Sequence, residues 1–175
     1  MPYNDTHIGA VGNHIAIAGA SFTRPSDTNA YASGDLVANS VTAGSVVPMT
    51  FTAARDLDMT GMVRRARIKV NDNSAWNGAT LRLHLYKGPA ITCANGDNGA
   101  WSTTESAYLG DIDVTLSLAF SDPFAKGIGV PNQGSEISFS PAPGTTSIFG
   151  LLEARGAVTP GSGDQFTVEL EIVQN

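Results

Sequence analysis

The stretch Thr80–Tyr86, TLRLHLY, decides the fold. Leu81, Leu83 and Leu85 alternate with Arg82, His84 and Tyr86. That period of two puts three leucines on one side of an extended chain and three polar or amphipathic side chains on the other. It is the pattern of an antiparallel strand with one face in a core. Working outward, the same alternation runs through Tyr108–Phe120, with Ile112, Val114, Leu116 and Leu118 inward and Asp111, Asp113, Thr115 and Ser117 outward. It returns in Gln165–Val173, where Phe166, Val168, Leu170 and Ile172 face in. The near-continuous apolar run Thr146–Ala154 predicts a central strand. Ser45–Thr52 is β-rich, but Pro48 assigns it to an edge or a bulge. Short strands are expected at Asp35–Asn39 and at Ile137–Ser140, the latter stopped by Pro141. Met62–Val70, MVRRARIKV, alternates in both registers: Val63, Arg65, Arg67 and Lys69 share one side, and Met62, Arg64, Ala66, Ile68 and Val70 the other.

Turn residues separate these runs at Asn71–Gly78, Pro131–Gly134, Pro143–Gly144 and Pro160–Gly163. Only Ala53–Asp58 suggests even one helical turn, and no internal repeat occurs. Seven or eight short strands with recurring Gly/Pro turns predict an all-β fold, an antiparallel β-sandwich. The Cys…Trp…Cys pattern of antibody domains is missing, and the long connections at Asn71–Gly78, Ile91–Ser106 and Ser121–Gly134 favour a jelly roll. Met1–Ala20 carries no sustained period and reads as an extended N-terminal arm, with residues 21–175 as a single sandwich domain.

Composition narrows the function. The chain has 175 residues, a net charge of −6, 42% hydrophobic and only 15% charged residues. That apolar content is too high for a disordered chain, and the length suffices for a core without disulfides, which the lone Cys93 could not form within the chain. No apolar run approaches a membrane span, so no membrane partner is expected. The first basic residue is Arg24, so the N-terminus lacks the positive region of a secretory signal, and synthesis in the cytoplasm without export by that route is expected. The acidic balance argues against direct nucleic-acid binding.

Residue patterns for chemistry are sparse. His7, His14, His84 and Cys93 lack the short spacings of a zinc site, so no metal is expected. Asp56-x-Asp58, Asp111-x-Asp113 and Glu169-x-Glu171 would each set two carboxylates about 7 Å apart on one strand face. Glycosidases take their acids from different strands, so these pairs read as solvated faces. Asn95-Gly-Asp97-Asn98-Gly resembles half a calcium loop without its bidentate Glu and reads as a turn. Neither a nucleophile elbow nor a phosphate-binding glycine loop is present. No catalytic residue and no cofactor is expected. Two features suit a binding surface. Arg64, Arg65, Arg67 and Lys69 concentrate four of the ten basic residues, a cluster able to grip carboxylates of a protein partner. Trp76 and Trp101 sit in Gly/Asn-rich loops, where tryptophan stacks on sugars, anchors an interface or plugs the end of a sandwich.

The segment Ser21–Ser40, SFTRPSDTNAYASGDLVANS, followed by VPMTF at Val47–Phe51, resembles a stretch found in small virion proteins of tailed bacteriophages, those described as head decoration, cement or structural proteins. F-T-R-P, A-Y-A-x-G-D and L-V-A-N occur in order, and the likeness covers the first third of the chain. It implies a non-catalytic protein on the outer surface of the phage head, bound to the major capsid protein at capsomer junctions. It further implies a sandwich or jelly-roll fold, often as a homotrimer. The partner-contacting candidates are then Ile8, Val11, Ile15 and Ile17 of the arm, Phe22 and Arg24, the basic cluster Arg64, Arg65, Arg67 and Lys69, and Trp76 and Trp101. An apolar arm suits strand addition to a partner, and many copies on a lattice gain avidity from weak contacts. The rival expectations are a carbohydrate-binding module using Trp76 and Trp101, and a glycan-cleaving enzyme on the same scaffold.

Overall fold

The structure, a computed structural model, describes residues 14–88, 91–103, 107–118 and 121–175. Two antiparallel sheets face each other. The first has the order β1-β10-β4-β7, with β8 also paired to β4; the second has the order β2-β9-β5-β6, with β3 also paired to β9. The strands are β1 His14–Thr23, β2 Leu36–Val37, β3 Met49–Thr52, β4 Gly61–Val70, β5 Thr80–Tyr86, β6 Tyr108–Thr115, β7 Ala125–Gly129, β8 Ile137–Phe139, β9 Ser147–Ala154 and β10 Gln165–Gln174. The expected β-sandwich is therefore present, and its inner faces follow the alternation except at Leu118, which is expected to face in but lies past the end of β6 at Thr115 and is 44% exposed. Leu81, Leu83 and Leu85 of β5, Ile112 and Val114 of β6, and Phe166, Val168, Leu170 and Ile172 of β10 are all buried in one core.

Four local readings differ from the sequence expectation. The arm boundary at Ala20 falls inside β1, which pairs with β10 from His14↔Gln174 to Thr23↔Gln165. Residues from His14 onward thus belong to the sandwich, while Ile8 and Val11 lie outside the described residues. The tail of β10 is apolar enough to form a central strand, and β1 completes its second edge; a reading along the chain does not contain that pairing. The turn cluster Asn71–Gly78 holds a one-turn helix, α1 Asn73–Trp76, whose cap is Asp72: its carboxylate accepts from the Ser74 and Ala75 amides. The connection Ser121–Gly134 contains β7, whose AKGIG sequence is too glycine-rich to announce a strand. Ala53–Asp58 forms bends and a turn instead of a helical turn.

The glycines of β7 have a packing reason. A Cβ on Gly127 would lie 2.3 Å from the Thr115 carbonyl oxygen, and one on Gly129 would lie 2.2 Å from that of Asp113. Here β7 of one sheet presses on the β6 backbone of the other, and only hydrogen fits. The sandwich is pinched shut along this side. A backbone bond from Leu118 N–H to the Lys126 carbonyl and another from Asn132 N–H to the Asp111 carbonyl extend the seam.

The two registers of Met62–Val70 are resolved by a bulge. Pairing of β10 with β4 passes from Glu171↔Arg65 to Ile172↔Val63, which leaves Arg64 as an extra residue. Val63 lies before the bulge and Ala66, Ile68 and Val70 after it, so all four face the core. Arg64, Arg65, Arg67 and Lys69 all emerge on the outer face.

Candidate functional site

The outer face of the β1-β10-β4-β7 sheet gathers Ile15, Ile17, Arg64, Arg65, Arg67 and Lys69, six of the ten expected partner-contacting residues within the described part of the chain. Its rows follow the register. Ile17 lies beside Glu171 and Glu171 beside Arg65; Gly19, Glu169, Arg67 and Ile128 form the next row; Ser21, Thr167, Lys69 and Lys126 the third. The basic cluster is not a free patch. Arg65 Nε lies 3.0 Å from Glu171 Oε2, Arg67 Nη2 3.3 Å from the same oxygen, Arg67 Nη1 3.8 Å from Glu169, and Arg64 4.0 Å from Glu136. Lys69 places its ammonium over the Phe124 ring, 4.9 Å from the centroid. The Glu169-x-Glu171 pair that reads as a solvated face in sequence is thus the counter-charge of the cluster. A carboxylate-gripping site on a partner is met instead by the protein's own β10.

Beyond these charges the face exposes large apolar groups. Ile15 and Ile17 of β1 are 55% and 50% exposed, and Ile128 and Val130 at the β7 border are 51% and 66% exposed. Two open grooves flank Ile128. One, of about 300 Å³, is lined by Arg67, Lys69, Leu118 and Lys126; the other, of about 390 Å³, by Arg64, Val130, Pro131 and Glu136. The face is a ladder of opposite charges bracketed by branched aliphatics. Such a surface pairs with a broad protein surface better than with a small ligand.

The outer face of the second sheet is covered in large part by the chain itself. Ile91 and Cys93, with Trp101, close over Leu36, Tyr86 and Leu151 as a second small core. Under this loop lies His84, which the alternation puts on the outer side of the strand but which is only 8% exposed. Its ring stacks on Trp101 at 4.0 Å between centroids. Nε2 lies 2.8 Å from Glu153 Oε2, and Arg155 Nη1 donates to the other Glu153 oxygen at 2.7 Å. An ionised carboxylate only accepts, so the neutral ring carries its proton on Nε2. Nδ1 faces the Tyr108 hydroxyl at 3.3 Å, and that hydroxyl donates to Asp111 at 2.6 Å. Burial pushes the His84 pKa below its ordinary value, against the pull of Glu153. Beside it, Arg82 grips both oxygens of Asp113 at 2.7 and 2.8 Å, which holds that carboxyl below the usual range. Asp111-x-Asp113 is therefore occupied by Arg82, Tyr108 and Asn132.

Three expected contact residues are structural. Trp76 is fully buried: its Nε1–H donates to Asp164 Oδ2 at 2.7 Å, and its ring meets Phe166 edge-on at 4.9 Å. Of the readings open in sequence, the plug is the one it fills, and the carbohydrate-binding expectation loses one of its two tryptophans. Phe22 is half-buried, stacked on Phe166 at 5.1 Å. Arg24 is buried in a triad. Its Nη2 donates to Asp97 Oδ2 at 2.9 Å and its Nε to the Tyr31 hydroxyl, which donates to Asp97 Oδ1 at 2.7 Å. The Ala38 amide donates to the same Asp97 oxygen at 2.7 Å. Burial raises the Asp97 carboxyl above its ordinary value, and these three donors oppose that rise. The triad explains what the Ser21–Ser40 segment does locally: it pins the strand after β1 to the Asn95–Gly99 turn, whose Asp97 is an ion-pair partner and not a calcium ligand. Asp97 escapes a sequence reading because its partners lie 59, 66 and 73 positions away.

No group of three or more His, Cys, Asp or Glu able to hold a metal ion occurs among the described residues. No helix among them is long and apolar enough to cross a membrane. No family model matches the chain, and no curated protein does. Among solved structures it is similar to a chain described as "Cyanophage Pam1 capsid asymmetric unit", at 10% identity and a TM-score of 0.34, over 100% of this chain and 98% of that one. A likeness at that level assigns no function, which rests on the chain's own residues.

Proposed function

We propose that this chain is a non-catalytic virion protein, a decoration or cement protein that binds the outside of a bacteriophage head at junctions between major capsid protein subunits. The observation that carries the reading is the outer face of the β1-β10-β4-β7 sheet. Its arginines are paired with Glu136, Glu169 and Glu171 within the face, Lys69 lies over the Phe124 ring, and its large exposed apolar groups are Ile15, Ile17, Ile128 and Val130. A surface of that kind gives modest, salt-tolerant contacts, and repetition over a lattice turns modest contacts into tight occupancy. The resemblance of Ser21–Ser40 to head decoration proteins supplies the identity of the lattice. We also read the sandwich as a jelly roll. Support comes from the strand order: β1-β10-β4-β7 faces β2-β9-β5-β6, with β3 also on β9, so both sheets interleave strands from the two halves of the chain.

The test is co-sedimentation with intact heads or empty capsids. Binding at fixed stoichiometry is expected, little changed by added salt. The double variant Ile128→Lys/Val130→Asp should weaken it at least about tenfold, because burying a charge at an apolar contact is costly, while thermal melting stays as in the parent. Failure of the parent chain to bind any capsid refutes the reading. Glycan binding is the second reading, favoured by the half-buried Trp101 stacked on His84, whose other neighbour is the Tyr108 ring. Sugar binding abolished by Trp101→Ala, with no capsid binding, would replace the first.

A further inference from the structure

Sheet edges in soluble proteins are defended by lysine, proline, bulges or short length, because an open row of backbone groups recruits another strand. The β1 edge has none of these defences. It is ten residues long, HIAIAGASFT, pairs with β10 without a register shift, and contains no proline, lysine, arginine or carboxylate. It ends its sheet, and among the described residues its only backbone ladder is the one to β10. Two of its outward side chains, Ile15 and Ile17, are large, apolar and about half exposed.

The occupant can be read from the strand itself. In an antiparallel self-pairing centred on Gly19, Gly19 faces Gly19, Ala18 faces Ala20, Ile17 faces Ser21, Ala16 faces Phe22 and Ile15 faces Thr23. Small residues meet at the axis, every large side chain meets a smaller one, and no like charges are opposed. The other strands offer less: β4, β5, β9 and β10 are internal to their sheets, β6 carries Asp111 and Asp113, and β2, β3, β7 and β8 are only two to five residues long. We propose that β1 pairs with β1 of a second copy of this chain, joining two sandwiches edge to edge across a two-fold axis at Gly19.

Gly19 also supplies the test. A Cβ there meets only Glu169 Cγ and the Val168 carbonyl oxygen, each at 3.9 Å, which is ordinary contact. Gly19→Lys therefore fits the single sandwich and sets its ammonium beside Glu169. In the pair it would set two ammoniums directly opposite, a destabilising arrangement. Sedimentation equilibrium of the purified full chain should show a reversible dimer. Gly19→Lys should weaken that dimer at least about tenfold with unchanged thermal melting, and mixing it with Gly19→Glu should restore a mixed dimer. Cys93 is buried, so a disulfide does not confuse the result. A parent chain that stays monomeric or forms trimers only, a Gly19→Lys protein that associates like the parent, or loss of the dimer on deleting residues 1–13 would overturn the proposal. Capsids play no part in the measurement, so its failure leaves the decoration reading untouched.

Discussion

Replacing Asp97 by alanine removes the acceptor at the centre of the Arg24–Tyr31–Asp97 triad. Both charged side chains of that pair have no solvent exposure. The substitution leaves the buried Arg24 guanidinium without its close counter-charge, with the Tyr31 hydroxyl, the Gly161 carbonyl at 3.1 Å and the weaker pair to Asp27 at 3.4 Å as partners. It also removes the acceptor of the Tyr31 hydroxyl and the Ala38 amide. Breaking a buried pair from one side costs about 3–5 kcal/mol, because an uncompensated charge stays behind. Whole domains of this kind are stable by about 5–15 kcal/mol, so a large share of the margin goes. At about 2–4 °C per kcal/mol for a chain of this size, the melting temperature should fall by about 6–20 °C. The double variant Arg24→Met/Asp97→Leu removes both charges and should regain most of the loss, since well-packed apolar groups often replace a buried pair without penalty. Differential scanning calorimetry of the parent, the single and the double variants decides it. A single variant that melts within about two degrees of the parent, or a double variant no more stable than the single, would refute the buried-charge reasoning.

Other outcomes follow from the same geometry. Gly129→Ala puts a methyl 2.2 Å from the Asp113 carbonyl oxygen and 2.8 Å from the Val114 side chain, and should cost about 1–3 kcal/mol in urea unfolding, more than Gly19→Ala. Trp76→Ala empties the core at the end of the sandwich and orphans one Asp164 contact, for a loss of about 3–5 kcal/mol by the same measurement. Stability should fall with acidification: the His84 pKa is depressed in the folded chain, so the unfolded chain takes up the proton first. The contribution is complete above the ordinary value of 6.5 and is lost as pH drops through the lower folded value. Asp113, also depressed by Arg82, adds a further loss in the carboxylate range. His84→Gln should flatten the first step in melting curves recorded across pH while leaving the second.

The strand alternation was legible because it obeys a local rule. Leu81, Leu83 and Leu85 need only their own spacing to declare an inner face, and the core contains them as expected. β7 was hidden because Gly127 and Gly129 answer to the backbone of β6, a constraint with no local signature. His84 illustrates the same limit at the candidate sites. Its alternation with leucines puts it on an outer face, correctly, yet the loop carrying Trp101 folds over that face and buries it. Arg24 and Trp76 look like contact residues when their neighbours are flexible turn formers, but their partners Asp97 and Asp164 arrive from far along the chain.

The sequence alone determined the class of architecture: side-chain period is fixed by strand geometry, and the apolar set of each strand must share a core. It also determined that charge is scarce and where the basic cluster lies. Tertiary structure decided which charges are spent. The bulge at Arg64 turned the whole cluster to one face, β10 brought Glu169 and Glu171 against it, and β1 took the free edge of that sheet. Pairing between strands more than a hundred residues apart depends on the energy of the whole assembled core, which no window of the chain contains.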